Sequence, residues 1–502
     1  MSGRKRKNLI SLVSLLVLLA LIIGFYIWYV NKGKSKEDDD DSEKTIQIET
    51  MDTDLINEIH YKNQNVDMTL VKEDGVWIYQ EERERPIGKA YVNNIINVID
   101  RINVSRIISE NPEDLGKYGL SSPRAVITAK QSDGKTVTLM IGKKSSAGEG
   151  HYVKLGNADT VYLMKNIPES YISYTLIDMT DIEHGPSIES NNIYHLEVLQ
   201  KDKDDFEVIY DPDLKYYKTT ALFISSWAIL KPYDVVYAAD LDAVSKLLAN
   251  YSSFNFKSCV DYAATDFAQY GLDDPQASIF IEYYEQVEVE LDEPEVDPET
   301  GEEITTKTDT EERSFKLLIG NQNEDGDYYV RKDGDDAVYV MSASNVKNKL
   351  NVDAFSTLSK FVHIHNIDSV DKVEINVGGT LYTMSMERET TTDDEGKEEI
   401  NTTYYYNGKV VDEDTFKDVY QVVIGAKIDR ELKEPVTVDG IEPVVTVSFY
   451  TTKYDEPFTT SYYPYDDSFY LIDTGGQIRF VADKRKIDAL IKAVQEFKGK
   501  DN

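Results

Sequence analysis

The chain has 502 residues, 41% of them hydrophobic, which suits about two to four domains with cores of their own and excludes a disordered protein. Lys and Arg number 54 against 91 Asp and Glu, a net charge of −37, so nucleic acid phosphates and anionic lipid head groups are repelled and no nucleic-acid partner is expected. The single cysteine, Cys259, excludes an internal disulfide and any cysteine-based metal cluster.

The charge is unevenly placed. Residues 1–36 contain Arg4, Lys5, Arg6, Lys7, Lys32, Lys34 and Lys36 and no acid. Residues 9–30 read LISLVSLLVLLALIIGFYIWYV, with no charge at all. At about 1.5 Å per residue a helix of this length covers roughly 33 Å, against a bilayer core of about 30 Å. A cleaved signal peptide would have a shorter apolar core and small residues at its end, where this chain has Phe25, Tyr26, Trp28 and Tyr29. The reading is a basic cytoplasmic tail over 1–8, a single transmembrane helix over 9–30 that anchors the protein in the cell membrane, and an extracytoplasmic remainder. Residues 31–45, with SKEDDDDSEK at 35–44, form a charged linker. A large disulfide-free domain in that location suggests a bacterial protein.

Beyond the linker the chain repeats itself. Tyr118-Gly119-Leu120 with Pro123 recurs as Tyr270-Gly271-Leu272 with Pro275. Leu139-Met140-Ile141-Gly142 recurs as Leu317-Leu318-Ile319-Gly320, His151-Tyr152-Val153 as Tyr328-Tyr329-Val330, and Val161-Tyr162-Leu163-Met164 as Val338-Tyr339-Val340-Met341. The first motif returns after 152 residues and the last after 177, so an insertion lies between them. It falls at 285–312, which reads as an acidic hairpin with a Pro/Gly tip; lengthening a loop costs only about 0.6 kcal/mol per doubling. These offsets place one repeat at 46–180 and a second at 190–352. A diverged third is read at 366–498, where Val373-Glu374-Ile375-Asn376-Val377 resembles Ile56-Asn57-Glu58-Ile59-His60, the apolar spacing of 416–432 resembles that of 91–108, and the signature decays to Gly440-Ile441-Glu442-Pro443.

Within a repeat, two-residue alternation predicts strands such as 66–72, then a Gly75-Val76-Trp77 turn and an amphipathic helix over 89–102. The Tyr-Gly-Leu signature reads as the end of a short helix. Asn111 is the expected cap, Pro112 the first helical residue, Gly119 the left-handed residue beyond the end, and Leu120 the apolar residue that folds back on Leu115. Gly271, Leu272 and Phe267 repeat that pattern. The predicted class is α+β: one N-terminal transmembrane helix, followed by two or three tandem repeats of mainly antiparallel sheet with packed helices.

No nucleotide loop, zinc-protease motif or nucleophile elbow occurs. His363 and His365 share a strand face on paper, but no third histidine or cysteine accompanies them, so no metal site is expected. Asn321, Asn323, Asp325 and Gly326 imitate a calcium loop whose twelfth position is Lys332, which fits a turn better. Tyrosines are abundant, as at 403–406 and 462–465, and suit strand packing or a binding face. No catalytic residue and no cofactor is expected. Tyr118, Gly119, Leu120, Pro123, Tyr270, Gly271, Leu272 and Pro275 are taken as structural.

The order of anchor, Asp74-Gly75-Val76-Trp77, Pro86, amphipathic helix, Tyr-Gly-Leu-x-x-Pro, Ile-Gly, Tyr-Val and Val-Tyr-Leu-Met resembles the bacterial domain-of-unknown-function family 4340, over about residues 46–350. The resemblance implies anchoring by one helix and gene neighbourhoods that hold ABC transporter subunits of the gliding-motility type. It brings no catalytic residues. The expected function is therefore a non-catalytic accessory or scaffold subunit of an ABC-type cell-envelope complex, touching the membrane through residues 9–30. The alternatives are an envelope glycan hydrolase using paired carboxylates and a cell-wall polymer-binding module.

Overall fold

Alternation decides the architecture. Residues Ala125–Gln131 bury Ala125, Ile127, Ala129 and Gln131, and Val445–Thr451 bury Val445, Val447 and Phe449, each turning the intervening residues the other way. Segments of this kind build three large antiparallel sheets of eight, nine and nine strands. The structure is a computed structural model and describes residues 45–497 apart from 149, 157, 214, 217–224, 297–302, 364, 393–397 and 453.

The three sheets share one topology. Numbering the strands of the second sheet 1 to 9 along the chain, from Ile193–Gln200 to Val338–Met341, the spatial order is 4-3-2-1-6-7-8-9-5. The third sheet, from Val370–Val377 to Ile478–Asp483, has the same order. The first, from Ile56–Asn63 to Val161–Met164, matches it without the strand at position 4. In each sheet an amphipathic helix precedes the strand at position 5: Lys89–Ile99, Leu241–Leu248 and Glu413–Ile424. Each lays its apolar stripe on a core. The first buries Val92, Ile95, Ile96, Val98 and Ile99, and the third Phe416, Val419, Tyr420 and Val423.

The chain forms two compact units, one up to Asp181 and one from Ile182. The first holds the first sheet and a small two-stranded pairing of Ile46–Thr50 with Arg101–Val104. The second holds the other two sheets over one continuous core, in which Ile281, Tyr251, Val362, Phe449 and Phe480 belong to the same cluster. Inside that unit the two sheets interlock. The backbone N–H of Gln477 donates to both oxygens of Asp234, at 2.9 and 3.1 Å, and Tyr233 and Tyr237 set their edges against Phe480.

Several expectations are corrected. The α+β class headed by a transmembrane helix gives way to a structure of mainly antiparallel sheets, because nearly half of the described residues lie in strands and each repeat needs only a few short helices to close its core. Among the described residues no helix is long and apolar enough to cross a membrane, the longest having 12 residues. The run at 9–30 and the linker at 35–44 lie outside the described residues. The helix expected over 89–102 stops at Ile99, since Ile102 is claimed by the strand Arg101–Val104. The helix expected from Asn111 shortens to a 3-10 turn, Leu115–Tyr118, capped by Asp114, whose side chain accepts from the Gly116 N–H.

Candidate functional site

The repeated motifs come together in space. Gly119 has φ +71°, its N–H donates to Gly116 O at 3.0 Å, and the Leu120 N–H donates to Leu115 O at 3.0 Å. This is the Schellman pattern, and it puts Leu120 in the interior at 2% exposure. Gly271 at φ +69° and Leu272 bonded to Phe267 O repeat it. A Cβ built on Gly142 would stand 2.2 Å from Tyr118 O, and one on Gly320 would stand 2.2 Å from Tyr270 O. The Tyr118 ring meets Tyr152 edge-on at 5.1 Å, and Tyr270 meets Tyr329 at 5.0 Å. Pro123 and Pro275 each stand two residues before a strand whose ladder opens with Arg124 N–H to Ile141 O and Gln276 N–H to Ile319 O. Three of the four repeated motifs thus meet in one packing nodule per repeat, with Val338 of the fourth in the same apolar cluster as Leu272 and Tyr270.

The nodule has a testable asymmetry. At Gly119 the added Cβ would also meet the Lys143 backbone N at 2.7 Å, whereas at Gly271 it would meet the Asn321 side chain at 2.5 Å. Backbone has nowhere to go, while an amide can rotate. Gly119→Val should lose stability by about 1–2 kcal/mol from left-handed geometry alone, with the contact adding to it. Gly119→Asn should recover little, while Gly271→Asn should be milder. Denaturant unfolding of the variants measures this; equal stability of Gly119→Val and wild type would refute the capping role.

Other polar clusters are spoken for. His195 lies between Glu282 at 2.7 Å and Glu207 at 3.1 Å, and Lys231 bridges Glu197 and Glu207 at 2.7 and 3.0 Å, so this array pairs charges across strands of one sheet face. Asn323 Oδ1 accepts from the Asp327 N–H with Gly326 at φ +82°, which makes the calcium-loop imitation a turn between strands. Tyr404, Tyr406 and Tyr462 are buried in the second unit's core. His363 and His365 are not on a strand face; both are buried against Phe449, their rings 6.3 Å apart. Among the described residues no group of three or more His, Cys, Asp or Glu side chains is placed to hold a metal.

One cleft has the makings of a site. It lies inside the second unit, between its two sheets, with a volume of about 440 Å³. The hairpin turn ending at Phe206, the Pro232-Tyr233 pair, the segment 352–355 and Glu431 line it. Tyr233 is 7% exposed and its hydroxyl has no hydrogen bond of normal geometry, although it faces the Glu431 carboxyl. Burial raises the Tyr233 phenol, and the charge of Glu431 adds to the effect. Burial also raises Glu431 above the ordinary carboxylate range, against the opposing pull of Arg479. The Lys360 ammonium sits 3.5 Å from the centre of the Phe355 ring and is pushed down by burial. Sequence reasoning missed Tyr233 and Glu431. Each looks like an ordinary strand or loop residue, and nearly 200 residues separate them.

A family model described as "Domain of unknown function (DUF4340)" matches residues 77–221 and 227–439. No curated protein and no solved structure matches the chain. The match covers more than half of the sequence, spans most of the first sheet and all of the second, and runs into the third: the chain belongs to the DUF4340 family.

Proposed function

We propose that the protein is a non-catalytic accessory or scaffold subunit on the outer side of the cell membrane, associated with the bilayer through residues 9–30 and working with an ABC-type membrane complex. The observation that supports this reading is the ribbon formed by Ala277–Val296 and Glu303–Gln322. Its neighbours on the sheet pair with it only as far as Tyr283 on one side and from Leu317 on the other. Beyond those points it is a two-stranded projection, and residues 285–312 carry 13 Asp or Glu against Lys307 alone. Among the described residues of 285–312 none belongs to a core cluster, so the projection is surplus to folding and available for contact. Its charge is repelled by anionic lipid and suits a basic protein surface. The gene neighbourhood implied by the family resemblance supplies the kind of partner.

Of the alternatives, glycan hydrolysis needs two free carboxyls across a sugar. Among the described residues Glu431 is the carboxyl raised above its ordinary range, but its neighbour Asp353 is occupied in capping the turn Ala354–Thr357. We therefore take the scaffold reading. The test is to purify the intact protein in detergent with residues 286–310 either present or replaced by a short Gly-Ser turn. The expected result is a melting temperature within a few degrees of wild type and loss of the co-purifying membrane subunits. Retention of those subunits by the variant, or their absence from the wild type, overturns the reading.

A further inference from the structure

We propose that the cleft between the two sheets of the second unit binds a primary ammonium group on an aliphatic stem, with the Tyr233 hydroxyl and the Glu431 carboxylate as its acceptors. This site goes beyond the scaffold reading and does not depend on it.

The lining selects among ligand classes by exclusion. It carries Asp204, Asp205, Asp353 and Glu431 against Lys203, so an anion is repelled. A sugar ring needs an aromatic face to lie on, and the rings here have theirs taken. Phe355 has Lys360 over it and stacks on Phe480 with centroids 6.0 Å apart. Tyr233 is held edge-on between Tyr237 at 5.1 Å and Phe480 at 5.4 Å. Phe206 is 2% exposed. A wholly apolar ligand would leave the buried Tyr233 hydroxyl without a partner and would cover the half-buried Glu431 carboxyl, which costs about 1–3 kcal/mol for a polar group left so. A cation on an apolar stem meets every condition. Val352, Ala354 and Pro232 receive the stem, the exposed acids at 204 and 205 attract the charge at the mouth, and the floor offers two oxygen acceptors.

The site also predicts a proton count. Glu431 is held towards its protonated form by burial, reinforced by Asp353, while Arg479, the Tyr233 hydroxyl and Lys360 pull the other way. Tyr233, the remaining titratable neighbour, stays protonated throughout. An ammonium beside Glu431 favours the carboxylate, so binding drives off the proton that Glu431 carries. Affinity therefore rises with pH as Glu431 titrates and levels off once Glu431 is ionised in the free protein.

The experiment is calorimetric titration of the full chain in detergent with two probes, spermidine and an acetylated, amidated Gly-Lys-Gly tripeptide, in buffers of different ionisation enthalpy. The expected result is binding of at least one probe with proton release at acidic pH. Tighter spermidine binding marks a free polyamine as the natural source, and tighter peptide binding marks a partner's lysine. Glu431→Gln should weaken binding about tenfold and abolish the proton release, and Tyr233→Phe should weaken it several-fold, both with unchanged melting temperature. No binding of either probe at millimolar concentration overturns the proposal. So does binding that both variants leave intact, which would be general attraction to an acidic surface. If Glu431→Gln fails to fold, Tyr233→Phe and the buffer dependence of the wild type decide the matter.

Discussion

Gly142→Ala is expected to destabilise the first unit by about 3 kcal/mol, the upper end of the cost of overpacking. The added methyl carbon would sit 2.2 Å from the carbonyl oxygen of Tyr118 and 3.1 Å from Leu120. Neither can yield easily. The carbonyl belongs to a turn closed by the bonds of Gly119 and Leu120 to the residues before them, and Leu120 is 2% exposed. Gly142 also has no positive φ, so backbone strain does not confuse the result. Gly320→Ala in the second sheet should behave alike, its Cβ being 2.2 Å from Tyr270 O and 3.0 Å from Leu272. Urea unfolding of each variant, followed by circular dichroism, measures the loss. A loss of less than about 1 kcal/mol at both positions would show that the nodule relaxes, and the link drawn between the Tyr-Gly-Leu and Ile-Gly motifs would fall.

The same contact explains what was legible in the sequence. The first two repeats are recognisable because the nodule makes demands that only particular residues meet: a glycine for a left-handed turn, a second glycine to admit a carbonyl, and two tyrosines that meet at their edges. The third sheet has the same strand order without that nodule. Register equates Ile141, Ile319 and Tyr462, so the residue after Tyr462 stands where Gly142 and Gly320 do, and it is Tyr463. No helical turn delivers a carbonyl there, and the ring packs instead with Leu432, Val436 and Phe469 around Leu471, Ile478 and Val481. Gly440 keeps its positive φ, but nothing lies within 4 Å of an added Cβ. With both halves of the contact gone, only alternation was left to read, and alternation is satisfied by many sequences. The helix ends were misjudged for a similar reason. Asn111 and Asp114 are both good caps on paper, and it is Asp114 that serves, at the start of the 3-10 turn Leu115–Tyr118. The cleft at Tyr233 and Glu431 was invisible, since its walls come from four segments that only the packing of the second and third sheets brings together.

Acid should loosen the second unit through His363 and His365. Both are buried, at 0% and 3% exposure, with rings 4.7 and 4.6 Å from Phe449 and with His365 also 4.9 Å from Phe458. Neither ring nitrogen of His363 has a hydrogen-bond partner, nor has Nε2 of His365. Burial pushes His365 down to about 4 and His363 well below its ordinary value, with the neighbouring His365 adding to the effect on His363. In the unfolded chain both return to about 6.5. The unfolded state therefore binds more protons below that pH, and the stability these histidines contribute while neutral is lost as the pH falls from about 6.5 towards 4. For His365 alone the loss amounts to about 3 kcal/mol, a large part of the stability of an ordinary domain. A competing effect runs the other way, because protonating carboxylates relieves the self-repulsion of a chain with a net charge of −37. The measured curve of the wild type contains both. The comparison that separates them is with His363→Phe/His365→Phe, which fills the same apolar surroundings without a titrating group and keeps every carboxylate. Denaturant midpoints of the two proteins should diverge as the pH drops from 7 to 4, the wild type losing stability relative to the variant by at least the amount assigned to His365. Parallel curves would mean that the two imidazoles find partners or water when protonated, and that burial at this position carries no penalty for charge.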